Sequence, residues 1–218
     1  MKKQTNANLL AKARPGRPKG RDSEQSRQAL IDAARDLFSV REFSAVSLRQ
    51  IAERANVNPA MVHYHFGGKE GLYSAMLEER FAPLLQQLEL LPSERPTLSH
   101  FVDSYVRMLA ANPWLPNLVV REVLYGASSF REKFIERFAS RAGSIVPQII
   151  KEESVAGRLR ADLDPVFATL SLLSMALFPF IGRPVVEPAL GLEMDESFVQ
   201  SWVDHVLRLF YEGAEVRL

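Results

Sequence analysis

A chain of 218 residues with 47% apolar and 24% charged residues has room for one large or two small domains around a buried core, which excludes wholesale disorder. It contains no cysteine, which excludes disulfides, thiolate metal sites and a cysteine nucleophile. The formal charge of +1 conceals an asymmetry: residues 1–70 hold 13 Lys/Arg against 7 Asp/Glu, the remainder 14 against 19. A basic first third on an acidic remainder fits a nucleic-acid module joined to a domain with another task.

Residues 1–21 carry seven basic residues and no acid. Pro15 and Pro18 bar a continuous helix, so the reading is an extended arm. Gly16-Arg17-Pro18-Lys19 has the core of an AT-hook, with Arg14 one place out of order. Such an arm can slide Arg14, Arg17 or Lys19 into a narrow A·T-rich minor groove; a plain solubilising tail is the alternative. Asp22 with Gln25 is expected to cap the first helix, whose inner stripe is Leu30, Ala34, Leu37 and Phe38. Phe43 is expected to close that core against Ile51 and Phe66, with Arg27 and Arg41 in reach of phosphates.

Ser47 to Lys69 is the most informative stretch. Ser47 and Gln50 form a capping box, and Leu48, Ile51, Ala52 and Ala55 recur on one helical face. Asn56, tolerant of a left-handed backbone, marks the turn. Asn58 caps a second helix with Pro59 at its first position. Val62 and Phe66 face inward there, leaving Pro59, Ala60, Met61, His63 and Tyr64 outward. Small and aromatic residues outward, rather than Lys and Glu, suit a helix laid in a major groove.

This stretch resembles the DNA-binding core of the TetR/AcrR family of bacterial regulators. The matching residues are Phe38, Ser47-Leu48-Arg49-Gln50-Ile51-Ala52, Ala55-Asn56-Val57, and His63-Tyr64-His65-Phe66 followed by Lys69-Glu70 and Leu72. Asn56 and Asn58 depart from the Gly and the Ser or Thr often found there. The resemblance implies that Ser47, Tyr64 and Lys69 meet phosphates and that Arg49 reaches phosphate or base. It implies that Pro59, Ala60, Met61 and His63 meet base edges and thymine methyls. It also implies an all-α chain of about nine helices, with an arm over 1–21, a helix-turn-helix domain over 22–68 and a helical dimerisation and effector domain over 69–218.

Lys69 opens a long apolar-faced helix towards Leu91, interrupted by Pro83; in the resembled family this helix connects the two domains. Beyond the Pro92–Pro96 loop come helices over Leu98–Ala111, Trp114–Tyr125, Phe130–Glu153, from Asp164 to about Phe180, and Glu196–Glu212. The last two are too apolar for a free surface. The resemblance implies that Leu170, Leu173, Phe198, Trp202 and Leu209 bury themselves in a two-fold homodimer. The uncharged run Pro165 to Gly182, 18 residues, falls short of the roughly 20 a membrane span needs and reads as a buried helix. Without an apolar core in residues 1–21 to act as a signal peptide, the expected location is cytoplasmic.

Phe101, Tyr105, Trp114, Arg121, Tyr125 and Phe178 are candidates for an effector pocket between these helices, along with Met108, Leu118, Phe134, Phe138 and Met175. Nucleotide-binding, Gly-x-Ser-x-Gly and His-Glu-x-x-His motifs do not occur, so no enzyme and no cofactor is expected. His63 and His65 point about 200° apart on a helix and cannot share a metal ion. The expected partners are double-stranded DNA with a palindromic operator, a second copy of the chain and a small hydrophobic or amphipathic effector. The competing reading is a DNA-binding protein governed by a protein partner, or an architectural one, without a small-molecule switch.

Overall fold

The computed structural model describes residues 19–90, 97–126 and 128–214, and all their regular structure is helical. Arg14 and Arg17 lie outside the described residues. Helix α1 spans Lys19–Phe38. It starts directly after Pro18, so Lys19 belongs to its first turn rather than to an extended arm. The reason is that Pro18 blocks helix on its N-terminal side only; nothing from Lys19 onward opposes it.

Helices α2 (Leu48–Ala55) and α3 (Ala60–Phe66) pack across α1. The Ser47 hydroxyl accepts the Gln50 N–H at 3.2 Å while the Gln50 side chain accepts the Ser47 N–H at 2.8 Å, the expected capping box. Asn56 closes α2 at φ 53°, ψ 44°, the left-handed turn for which an asparagine is suited. Asn58 accepts the Ala60 N–H at 2.9 Å, so it caps α3 although the helix proper begins after Pro59. Leu30, Ala34, Phe38, Ile51, Ala52 and Val62 are buried together.

Helix α4 (Lys69–Leu88) leaves this head and enters the larger domain, with Pro83 inside it. There follow α5 (Leu98–Ala111) and α6 (Trp114–Val119), which continues into a π-helical turn over Val120–Leu124. Helix α7 (Ser128–Phe134), a π-turn (Ile135–Ala139) and α8 (Ser140–Val155) run on without a break as one rod. Helices α9 (Pro165–Leu190) and α10 (Glu196–Ala214) complete the domain. Counted as rods, the described residues form nine helices, and one buried cluster runs from Leu30 through Phe210 across both domains.

Asp164 caps α9 by accepting the Val166 and Phe167 N–H groups at 2.8 and 3.0 Å. This helix passes well beyond Phe180 and through Pro184 and Pro188 to Gly191, where φ is 64°. Glu187 holds its far end, pairing with Arg183 at 3.0 Å and accepting the Met194 N–H at 3.0 Å. The helix is long and apolar enough to cross a membrane, but α5, α6, α8 and α10 pack along it. Its other side leaves Phe167 (69% exposed), Leu170, Phe178 and Val185 uncovered.

Candidate nucleic-acid interface and interior cavity

The head presents α3 outward. Tyr64 is 75% exposed, and Pro59, Ala60 and His63 are also exposed. Met61 is half-buried and packs on the core, so it offers less surface than its neighbours. The His65 ring lies edge-on to Tyr64 at 5.0 Å and is half-buried. Ser47 is exposed at the start of α2, and Arg49 forms an exposed ion pair with Glu53 at 2.8 Å. Arg27 lies over the Phe66 ring at 5.6 Å, whereas Arg41 is exposed. Thus Ser47, Arg49, Pro59, Ala60, His63 and Tyr64 share the outer surface of the α2–α3 head.

Lys69 is placed otherwise. Its ammonium donates to the carbonyls of Phe43 and Val46 at 2.6 and 2.5 Å and sits 4.1 Å from the Phe43 ring centroid. Burial pulls its pKa below the usual lysine range, against the opposing effect of the Glu122 carboxylate. Two of its three donors hold the α1–α2 connection to the start of α4, so the side chain is a clamp inside the head. The expected phosphate contact would have to come from its remaining donor or from the backbone.

Next to this clamp lies the joint between the domains. Phe43 stacks on Phe38 at 5.5 Å and meets Tyr73 of α4 edge-on at 5.4 Å, rather than simply closing the core with Ile51 and Phe66. The buried Glu122 carboxylate, in the first π-turn, accepts the Phe43 N–H at 3.1 Å and the Arg121 guanidinium at 2.9 Å. Arg121 donates further to the carbonyls of Phe38 and Arg41 at 2.6 and 2.9 Å. Arg121 is therefore a strut between the domains and not a pocket residue. A π-turn re-aims the side chains within it, and here both charged members of Val120–Leu124 reach the head. Nothing local in the sequence signals this contact, because its partners lie some 80 positions away.

A second link joins α4 to the α7–α8 rod. Lys133 pairs with Glu70, Arg137 with Glu78 at 3.5 Å, and Arg141 with Glu89 through two bonds of 2.5 Å. The Arg141 guanidinium holds the Glu89 carboxyl below its ordinary pKa range.

Between α4, α5, the rod and α9 lies a cavity of about 340 Å³. Of the expected pocket residues, Phe101 and Tyr105 line it, as do Phe134 and Phe138. Tyr125 is 83% exposed and Phe178 65% exposed, with Phe178 in a groove between α9 and α10 beside Met175, Trp202 and Leu209. Trp114 packs half-buried on the core and Leu118 is buried in it. Met108 lines a separate groove with Arg80 and Asn112. Aromatic residues at helical spacing look alike in sequence whether they face a cavity, the core or a partner. Phe81, Leu84 and Leu85 of α4 line the cavity as well. The apolar face of α4 continues further than the small head requires, which was the available signal for them.

Among the expected interface residues, Leu170 and Leu209 are exposed, while Leu173 is half-buried and lines the cavity. Phe198 stacks on a half-buried Trp202 at 5.9 Å.

A trihelical head with a capped helix-turn-helix and an outward second helix, carried on a larger helical domain, defines a DNA-binding regulator. Comparison with known sequences agrees. Residues 30–76 match the bacterial regulatory proteins, tetR family, and residues 95–209 match the tetracyclin repressor-like C-terminal domain. The chain belongs to the TetR family of DNA-binding transcriptional regulators.

It is 24% identical over 205 residues to the HTH-type transcriptional repressor NicS of Pseudomonas putida, covering 89% of this chain and 95% of NicS. It is 26% identical over 199 residues to the HTH-type transcriptional regulator RutR of Escherichia coli K12, covering 88% and 91%. Among solved structures it resembles NalD, the secondary repressor of the MexAB-OprM multidrug efflux pump in Pseudomonas aeruginosa. That match has a TM-score of 0.68 at 23% identity and covers 91% of this chain and all of NalD. Bacillus subtilis FadR in complex with stearoyl-CoA gives a TM-score of 0.68 at 18% identity, covering 86% and 99%. At these identities the structures speak for the fold.

Proposed function

We propose that this chain is a cytoplasmic homodimeric repressor that binds a palindromic operator and is released from it by a small molecule held between α4, α5, the α7–α8 rod and α9. The observation that carries the reading is the cavity wall itself: Phe81, Leu84 and Leu85 belong to the helix that begins at the DNA-binding head. A ligand that displaces α4 changes where the head points. The Arg121–Glu122 strut and the Lys69 clamp make the head follow. NicS and NalD are each named as repressors, which favours repression over activation.

In the proposed dimer the exposed apolar stripe of α9, with Leu170 and Phe178, packs with α10 and Leu209 against the same elements of a second copy. Each α3 then enters one of two successive major grooves, with Ala60, Met61 and His63 towards bases and Ser47 and Tyr64 towards phosphates. Arg14 and Arg17 would add minor-groove contacts outside the half-site. Linkage requires that operator binding weaken the ligand by the same factor that the ligand weakens operator binding.

Selecting bound sites from random duplex DNA tests the reading. A two-fold symmetric consensus is the expected result, with flanking A·T preference lost on removal of residues 1–18. Recovery of a single, asymmetric half-site would overturn the dimeric reader.

A further inference from the structure

We infer that the cavity takes an uncharged, mainly aromatic molecule of about two fused rings, which presents one hydrogen-bond acceptor to Tyr105 and enters past Gly143. This rests on the reading of the cavity as the effector site and specifies the chemistry that site selects.

Size comes first. A cavity of about 150 Å³ suffices for one benzene ring, and this one holds about 340 Å³. Shape and surface come next. Phe81, Phe134 and Phe138 form one wall as a mutual cluster, with centroids 5.0 to 5.6 Å apart and rings tilted against one another. Phe101 and Tyr105 of α5 also line the cavity and lie parallel, their centroids 6.0 Å apart. Ring faces and edges presented together suit a flat aromatic guest.

Charge is the discriminating property. None of the 15 lining residues is Asp, Glu, Lys, Arg or His. The cations nearest in the rod are already engaged: Lys133 with Glu70, Arg137 with Glu78 and Arg141 with Glu89. An anionic or cationic guest would be stripped of water with no counter-charge, a severe penalty.

Two lining groups can hydrogen-bond. The Thr169 hydroxyl donates to the Pro165 carbonyl at 2.7 Å within its own helix, so its proton is spent. The Tyr105 hydroxyl makes no hydrogen bond among the described residues, and burial pushes its pKa up to about 12, so it remains a protonated donor. This donor belongs to a cavity-lining residue and has no protein partner among the described residues, so it is available to an acceptor on the guest, such as a carbonyl or ether oxygen.

The mouth is lined by the exposed residues Ala139 and Gly143 on the rod and Val166 in the first turn of α9. A glycine inside a helix weakens it relative to alanine, so its presence in α8 needs another reason. A Cβ at Gly143 would meet nothing within 4 Å. A side chain there has room to stand, and because Gly143 lines the cavity a large one would overhang its edge.

Three probes of one shape separate these terms: 2-acetylnaphthalene, its hydrocarbon analogue 2-isopropenylnaphthalene, and the anion 2-naphthoate. Calorimetric titration of the full chain should show the ketone binding at least about a hundredfold more tightly than the naphthoate. Tyr105→Phe, which preserves shape, should weaken the ketone about fivefold and leave the hydrocarbon unchanged. Gly143→Phe should abolish both, while Gly143→Ala keeps both and certifies that the helix tolerates a side chain there. Naphthoate binding as tightly as the ketone, or no binding by any probe, overturns the ligand class. An unchanged ketone affinity in Tyr105→Phe overturns the anchor, and in Gly143→Phe the doorway. A ketone that binds as expected yet leaves affinity for the selected operator unaltered sustains the chemistry assigned here and instead refutes the effector switch.

Discussion

The Glu122 carboxylate accepts the Phe43 amide N–H at 3.1 Å, joining residues 79 positions apart and fastening the DNA-binding head to the larger domain. Glu122 is buried, and Arg121 also relies on it. Glu122→Ala would strand both donors at once. The expected loss is about 2–3 kcal/mol, read by calorimetry as a melting midpoint lower by roughly 4–12 °C for a chain of this size. Glu122→Gln, which keeps an acceptor for the amide, should lose less. Equal melting of Glu122→Ala and the parent would show that the joint is not held here.

Lys69 gives a sharper test, because the sequence and the structure assign it different work. As a clamp on the Phe43 and Val46 carbonyls, its replacement by Met should destabilise the head by about 1–3 kcal/mol. The slope of operator affinity against salt should stay the same. A phosphate contact would instead lower that slope by about one unit. Urea unfolding and operator titrations at several salt concentrations distinguish the two.

The outer face of α3 divides into positioning and reading residues. Tyr64→Phe should weaken binding to all sites alike, by about 1 kcal/mol for one lost phosphate hydrogen bond. His63→Ala should relax preference at one position of each half-site and cost about 1–3 kcal/mol on the preferred base only. Site selection with both variants decides; identical profiles would refute the division.

Phe178 is mostly exposed on the open side of α9. Phe178→Glu should therefore leave the monomer folded and abolish pairing, so that sedimentation velocity reports one chain and operator affinity falls at least about a hundredfold, as only one half-site is held. Retention of a two-chain species would mean that a different face pairs.

Asp195 starts α10, accepting the Phe198 N–H at 2.9 Å and the Ser197 hydroxyl at 2.7 Å. These bonds, the amide first, hold its carboxyl below the ordinary aspartate range. Because the folded pKa is the lower one, the stabilisation is fully present above the unfolded value near 4 and disappears as pH falls through the folded value. Asn at this position caps without titrating. The stability advantage of the parent over Asp195→Asn, measured by urea unfolding, should shrink between about pH 5 and pH 3.

What could be read in advance follows from the range of the forces. The head was legible because its determinants are local: Ser47 and Gln50 cap within one turn, and Asn56 supplies its own left-handed bend. The start of α9 was legible for the same reason, through Asp164 and Pro165. Its far end was not, since Pro184 and Pro188 argue locally for a stop while Glu187 and the packed neighbours carry the helix on. Arg121 inside an apolar run looked like a polar group in a pocket. Only the fold brings it to the Phe38 and Arg41 carbonyls. Tyr125 and Phe178 carried the same sequence signature as Phe101 and Tyr105, and only the packing separates the exposed pair from the cavity wall.

The rod and α4 are tied by Lys133–Glu70, Arg137–Glu78 and Arg141–Glu89, pairs that remain accessible to water. Each contributes little by itself, and all are screened within about 8 Å at physiological ionic strength. The apolar lining of the chamber between them contains no charged residue and does not depend on such pairs. In the switch proposed above, salt accumulated by an osmotically stressed cell would loosen the rod's hold on α4 while leaving the filling of the chamber unchanged.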